Sequence, residues 1–262
     1  MNRNYIFPIT GMFFCACISA SELKIGVGAG VVTPYEGAKK YILTPDAMIQ
    51  YTELTDDYGI FSIGTEGAKW QYNIYDSINV GVIGTYLQGR KEEIGFSGNK
   101  NTDLKGMGDL KGAVAAGLEI SYAINEHSLY INSLTAIGHR NYGGEKIDNA
   151  TRYEFGINSN FELNNEWSID SNVSIRYVNK NYNQAYVGVT EEQSMKTSYL
   201  PYTPNSGFKD VGVLFGVNYK LFDDLYLNLK SGGYYLLGDS VNSPIVKQKY
   251  GLINMIGITY SF

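Results

Sequence analysis

Long stretches of this chain alternate apolar and polar residues with a period of two. Val211, Val213, Phe215, Val217, Tyr219 and Leu221 share one parity, and Gly212, Leu214, Gly216, Asn218 and Lys220 the other. Trp167, Ile169, Val173, Ile175 and Tyr177 alternate with Ser168, Asp170, Asn172, Ser174 and Arg176 in the same way. So do Tyr153, Phe155 and Ile157 with Arg152, Glu154 and Asn158, and Val114, Leu118, Ile120 and Tyr122 with Ala115, Glu119 and Ser121. A strand turns successive side chains to opposite faces, so each stretch predicts a strand with one apolar face. The stretches run about 10 to 13 residues, against roughly 5 to 6 for a globular strand and roughly 9 to 11 for one crossing a bilayer at a tilt. Charged residues also fall in mid-strand on the polar parity, which suits a barrel with a lipid-facing exterior and a polar lumen.

The connections add topology. Asn125-Glu126, Asn164-Asn165 and Asp223-Asp224 are tight turns, whereas 88–110, 138–150, 178–207 and 237–249 are long and polar. Short periplasmic turns alternating with long extracellular loops are the habit of outer-membrane barrels. Strands are expected near 23–33, 40–52, 59–66, 77–88, 111–124, 127–138, 150–163, 166–178, 208–221, 224–237 and 250–262. An even count returns both ends to the periplasm, so Trp70 to Tyr75, ending at Asp76-Ser77, supplies one more. The expected fold is an all-β, transmembrane, antiparallel up-and-down β-barrel of about twelve strands, with ten as the alternative.

Composition narrows the compartment. The net charge is −5, charged residues make up 18% of the chain, and no cluster of Lys and Arg forms, so nucleic acid is not an expected partner. Tyr (23) suits the bilayer interface and Gly (30) suits bent, closely approaching strands. Arg3, the apolar run Tyr5 to Ile18 and the small residues Ser19, Ala20 and Ser21 have the order of a signal peptide. Cleavage is placed after Ala20, giving a leader of residues 1–20 and a barrel of 21–262; acylation at Cys17 is the rival reading. Both cysteines, Cys15 and Cys17, fall in the leader, so the mature chain is expected to hold no disulfide and no thiol nucleophile. The end of the chain, with Ile256, Ile258, Tyr260 and Phe262 on one parity, resembles the terminal strand recognised by the outer-membrane assembly machinery; Tyr260 and Phe262 carry that signal. The expected location is the outer membrane of a Gram-negative bacterium, in contact with its lipid.

Alternation places Glu119, Arg152, Glu154, Glu162, Asp170, Arg176, Asp210, Lys220 and Lys230 inside the barrel. The signs nearly balance, which favours cross-strand ion pairs filling the lumen over a strongly selective pore. Only His127 and His139 could act as histidine bases, and they are expected at opposite rims, too far apart to share a metal. No catalytic constellation, cofactor motif or metal set is expected, and the chain is read as a non-enzyme.

Several segments resemble the MipA/OmpV family, the MltA-interacting scaffolding proteins of the outer membrane. They are Gly28-Ala29-Gly30 with Pro34-Tyr35-Glu36-Gly37, Leu104-Lys105-Gly106-Met107-Gly108-Asp109, Leu200-Pro201-Tyr202, Gly207-Phe208-Lys209-Asp210-Val211-Gly212, Leu237-Gly238-Asp239-Ser240 and Ser243-Pro244-Ile245-Val246. They follow one order through 23–262, with a departure at Arg140-Asn141-Tyr142 where a glycine-rich stretch is expected. The resemblance implies a barrel that links a lytic transglycosylase to a murein synthase; a small solute channel or a loop-mediated adhesin are the alternatives. It supplies no catalytic residue.

Overall fold

The computed structural model describes residues 21–55, 57–96 and 99–262. The expected leader, with both cysteines, lies outside the described residues. The strands are β1 (Ser21–Val32), β2 (Ile42–Thr55), β3 (Gly59–Gly64), β4 (Gly67–Tyr75), β5 (Ile78–Leu87), β6 (Ile94–Phe96), β7 (Asn99–Asn101), β8 (Ala113–Ile124), β9 (His127–Ala136), β10 (His139–Tyr142), β11 (Glu145–Asp148), β12 (Thr151–Glu162), β13 (Trp167–Val178), β14 (Gly207–Phe222), β15 (Leu225–Leu236) and β16 (Tyr250–Ser261). The helices are α1 (Lys180–Val187), α2 (Glu191–Lys196) and α3 (Gly238–Val241).

Twelve strands close into one barrel, in the order β1-β16-β15-β14-β13-β12-β9-β8-β5-β4-β3-β2. Every wall strand pairs antiparallel with its neighbours in the chain, and β1 closes on β16 with Lys24 opposite Ser261 and Val31 opposite Asn254. The twelve-strand reading holds and the ten-strand alternative falls. Trp70 to Tyr75 lies within β4. The hairpins β6-β7 and β10-β11 stand apart from the wall, in the loops after β5 and β9.

The period-two pattern becomes two faces. On β14, Val213 and Phe215 are exposed while Asp210 and Asn218 are buried; on β8, Leu118 and Ile120 are exposed while Ala115 and Glu119 are buried. The exposed apolar positions are layered. Trp167 on Tyr219 (centroids 4.4 Å) and Tyr260 on Phe262 (4.6 Å) belong to a ring near the short turns. Tyr153, Tyr177 and Phe208 form a second aromatic group toward the long loops, with centroids 6.3 and 5.5 Å apart. Between them lie aliphatic side chains such as Val27, Ile49, Val82, Leu118, Ile131, Val173 and Ile256. Exposed apolar surface on this scale is stable only against lipid, and the two aromatic levels mark its interfaces.

Local chemistry sets the turns. Asp76 (φ 38°) and Asn125 (φ 50°) take the left-handed conformation that their short polar side chains tolerate. The Asn164 side chain accepts the backbone N–H groups of Glu166 and Trp167, closing the β12-β13 hairpin. Within the wall, Tyr130 lies over its cross-strand partner Gly156 and Tyr234 over Gly251; a Cβ on either glycine would come within 2.6 Å of the ring. The long loops are more ordered than a period-two reading suggests. They hold the β10-β11 hairpin, turning at Gly143-Gly144 (φ 58° and 78°), and the three short helices.

Candidate functional site: the sealed lumen

The inward parity of the wall is polar, and the long loops fold over it. Asn179 caps α1 by accepting the N–H of Tyr182 at 2.9 Å, and the same oxygen accepts the N–H of Thr151 at 3.0 Å, fixing the helix to the top of β12. Thr190 and Gln193 form a reciprocal capping box on α2. Thr190 also donates to the Gly143 carbonyl (2.6 Å), and Gln193 to the Met107 carbonyl (2.8 Å). This segment therefore ties the β10-β11 hairpin to the loop after β5. Two apolar clusters complete the seal. One packs Leu87, Leu110, Tyr142, Ile147, Val178 and Tyr182; the other packs Tyr35, Leu104, Met107, Val189 and Ile245. Tyr182 and Tyr186 stack at 4.5 Å, Arg140 lies over Tyr186, and Arg90 donates to the Tyr142 hydroxyl and the Tyr186 carbonyl. Burial, reinforced by the charge of Glu36, drives the Tyr182 phenol up to about 12. Burial likewise raises Tyr186 and Tyr35, so these phenols stay neutral donors; Tyr186 donates to the Gln88 carbonyl and Tyr35 to that of Ile245.

Beneath the seal lies an ionic cluster created by a β-bulge. Arg176 pairs with Asp210 but Tyr177 pairs with Phe208, so Lys209 is the extra residue and both Lys209 and Asp210 point inward, each 0% exposed. Arg176 Nε donates to Asp210 Oδ1 at 2.6 Å and Lys209 Nζ to Asp210 Oδ2 at 2.7 Å. Glu36, from the loop between β1 and β2, reaches across to Lys209 at 2.6 Å and lies 3.8 Å from Arg176. Two cations meet two carboxylates, which is what burial at this depth demands.

The middle of the lumen is a hydrogen-bonded belt. Lys69 pairs with Glu119 at 2.6 Å, and Gln71 donates to the same carboxylate. Tyr130 donates to Glu154 at 2.7 Å and accepts from Asn172. Asn218 donates to Asp170, Asn228 to Asn218, and Thr259 to Asn228. Of the residues assigned to the lumen by alternation, Glu119, Asp170, Arg176, Asp210 and Lys230 are buried. Arg152 stands 4.0 Å from Glu154, both largely covered. Glu162 is exposed and Lys220 partly so, toward the short-turn rim, where Lys220 lies 3.6 Å from Asp223. Tyr260 and Phe262 face outward.

Sequence reasoning missed Glu36, which arrives from a loop, and Lys209, which strict alternation turns outward. The adjacent charges Lys209-Asp210 were the available signal: two charges on opposite faces of a membrane strand would put one in lipid, and a bulge avoids that. His127 shares a 2.7 Å hydrogen bond with Ser159 at one end of β9, and His139 begins β10 past the other. Among the described residues no group of three or more His, Cys, Asp or Glu could hold a metal.

A closed antiparallel barrel, apolar outside, polar and hydrogen-bonded inside, is an outer-membrane β-barrel, and this one is roofed by its own loops. Its place is the outer membrane of a Gram-negative bacterium. The chain belongs to the family described as MltA-interacting protein MipA, whose family model matches residues 25–262. No curated protein matches it. Among solved structures it is similar to an outer-membrane channel from Pseudomonas putida, at 10% identity and a TM-score of 0.50, covering 97% of this chain and 100% of that one. The NanC porin is similar at 10% identity and a TM-score of 0.49, covering 90% and 98%. At 10% identity the likeness to the Pseudomonas putida channel speaks for the fold alone.

Proposed function

We propose that this protein is a non-enzymatic scaffold whose periplasmic rim docks a lytic transglycosylase and, through it, a murein synthase. The observation that carries the reading is the sealed mouth: loops from β1, β5, β9, β13 and β15 converge on two apolar clusters and a buried ionic cluster, an arrangement that favours a closed body over an open channel. The family description names an interaction with MltA, and the short-turn rim offers exposed groups for one, among them Tyr58, Tyr75, Leu163 and Phe222. Affinity capture from crosslinked envelopes tests the scaffold: a lytic transglycosylase should be recovered, and its loss on replacing Leu163 and Phe222 with Ser should follow. Recovery that is indifferent to these changes, or no recovery, refutes the docking rim. The second reading, a small solute pore, is favoured by the polar belt of Asn158, Asn172, Asn218 and Asn228. Steady conductance of the unmodified protein in planar bilayers would support it and defeat the sealed scaffold.

A further inference from the structure

Two arginines in the roof are buried without a counter-charge. Arg90 follows β5 and is held by a reciprocal pair of backbone hydrogen bonds with Leu110, each 2.8 Å. Arg140 lies on β10 opposite Ile147, and alternation along that short strand buries Arg140 and Tyr142 while His139 and Asn141 are exposed. Arg140-Asn141-Tyr142 is also the segment in which the chain departs from its family resemblance. Tyr186, on α1, stands between the two arginines. The Arg90 guanidinium is 5.4 Å from the centre of the Tyr142 ring and donates to the Tyr142 hydroxyl and the Tyr186 carbonyl. That of Arg140 is 5.6 Å from the centre of the Tyr186 ring and donates to the Lys111 carbonyl at 3.4 Å.

Burial makes these charges costly. Arg90 is 6% exposed and Arg140 5%. A guanidinium keeps its proton in a protein, so neither can escape the cost by becoming neutral. Arg152 and Arg176 meet the same demand with carboxylates, Glu154 at 4.0 Å and Asp210 at 2.6 Å. Among the described residues no carboxylate forms an ion pair with Arg90 or Arg140. The neighbouring phenol does not replace one: burial drives Tyr186 up, and its hydroxyl donates to the Gln88 carbonyl. The donors are not used up either. Among the described residues, Arg90 Nε and Arg140 Nη2 are buried and meet no acceptor. Arg152 and Arg176 each keep one such nitrogen too, but their charge is balanced. Buried charges are paired, so two left over call for an anion from outside the chain.

We propose that Arg90 and Arg140 form a binding site for a tetrahedral oxyanion, the dianionic phosphate of inorganic phosphate or of a phosphomonoester. Two cations are matched by its two negative charges. Arg90 Nε and Arg140 Nη2 supply donors to its oxygens, and the guanidinium is the side chain best suited to phosphate. Both arginines belong to loop segments beyond the wall strands, so the site lies on the extracellular side of the lipid band.

The test uses the full barrel, purified in dodecyl maltoside free of phospholipid. Equilibrium dialysis against radiolabelled inorganic phosphate should show saturable binding. Arg90→Gln and Arg140→Gln should each weaken it about tenfold or more, as losing a hydrogen bond to a charged group does. Lys105→Gln, which removes an exposed cation, should leave it unchanged. Displacement by glucose 6-phosphate would assign the site to phosphomonoesters, and displacement by inorganic phosphate alone would assign it to the free anion; either result supports the site. Phosphate should also raise the urea midpoint of the unmodified barrel and leave that of Arg140→Gln where it was, a response that a merely structural arginine would not give. If the glutamine variants misfold, dialysis and the urea midpoint of the unmodified barrel still decide. No saturable binding, binding that neither glutamine variant alters, or an unmodified barrel whose midpoint ignores phosphate would each overturn the site.

Discussion

Replacing Asp210 with Asn should be among the most damaging single changes available in the lumen. Asp210 is 0% exposed and holds both cations of the cluster, Arg176 at 2.6 Å and Lys209 at 2.7 Å. Asparagine keeps the shape and one acceptor but removes the charge. Glu36 would then face two cations alone, from a side chain 17% exposed and 3.8 Å from Arg176. Breaking a buried ion pair by removing one partner costs about 3–5 kcal/mol, because a charge is left without compensation. The cost should sit in the imbalance and not in the lost volume. Adding Lys209→Gln restores one cation facing one carboxylate, and the double variant should recover at least about 1 kcal/mol of the loss, a coupling typical of contacting residues. Urea unfolding in lipid vesicles, followed by emission of the lipid-facing Trp70 and Trp167, measures both variants. If Asp210→Asn costs under about 1 kcal/mol, or if the second substitution adds to the damage, charge compensation is not what holds the cluster.

Other outcomes follow from the same structure. Phe215→Arg puts a cation into the lipid band and should cost about 2–4 kcal/mol, whereas Arg at Gly216 meets the Asp170 carboxylate; equal tolerance in urea melts would contradict the register. Thr190→Ala removes the α2 cap and the tie to Gly143, and should cost about 1 kcal/mol, with faster amide exchange in α2 and the β10-β11 turn and unchanged exchange in the wall. For Asp109, partial burial raises the carboxyl, but Lys91 at 2.5 Å and the Glu92 N–H outweigh it and hold the group below its ordinary value. A lowered folded-state value gives stability that is present above the ordinary carboxylate range and lost as pH falls through and below it. Amide exchange in the loop after β5 should therefore quicken in acid, and Asp109→Asn should flatten that dependence.

The wall was legible in the sequence because a half-buried strand writes its two environments into alternate letters. Leu118 and Glu119, or Phe215 and Gly216, need no partner to be read. The count came from the same logic, once parity demanded that Trp70 to Tyr75 be a strand. What escaped was everything that depends on contact between distant segments. Tyr142, Met107 and Ile245 are isolated apolar residues in polar loops, and only their convergence makes a roof. The Thr190 capping box was written in four letters, Thr190-Glu191-Glu192-Gln193, but a period-two search does not look for it. Glu36 has no neighbour in sequence that hints at Arg176, and Lys209 was missed because one bulge reverses parity.

The seam between β1 and β16 has a consequence for how the molecule comes into being. Lys24 meets Ser261 and Ile25 meets Tyr260, so the first wall residues to emerge during synthesis must await almost the last. Until then the sheet has two raw margins, each able to pair with any other extended chain. Closure spans the greatest separation the chain offers, so it is the slowest step that topology can impose. A polypeptide cut short by even one strand would be a permanently adhesive ribbon, and quality control need only ask whether the final strand has arrived.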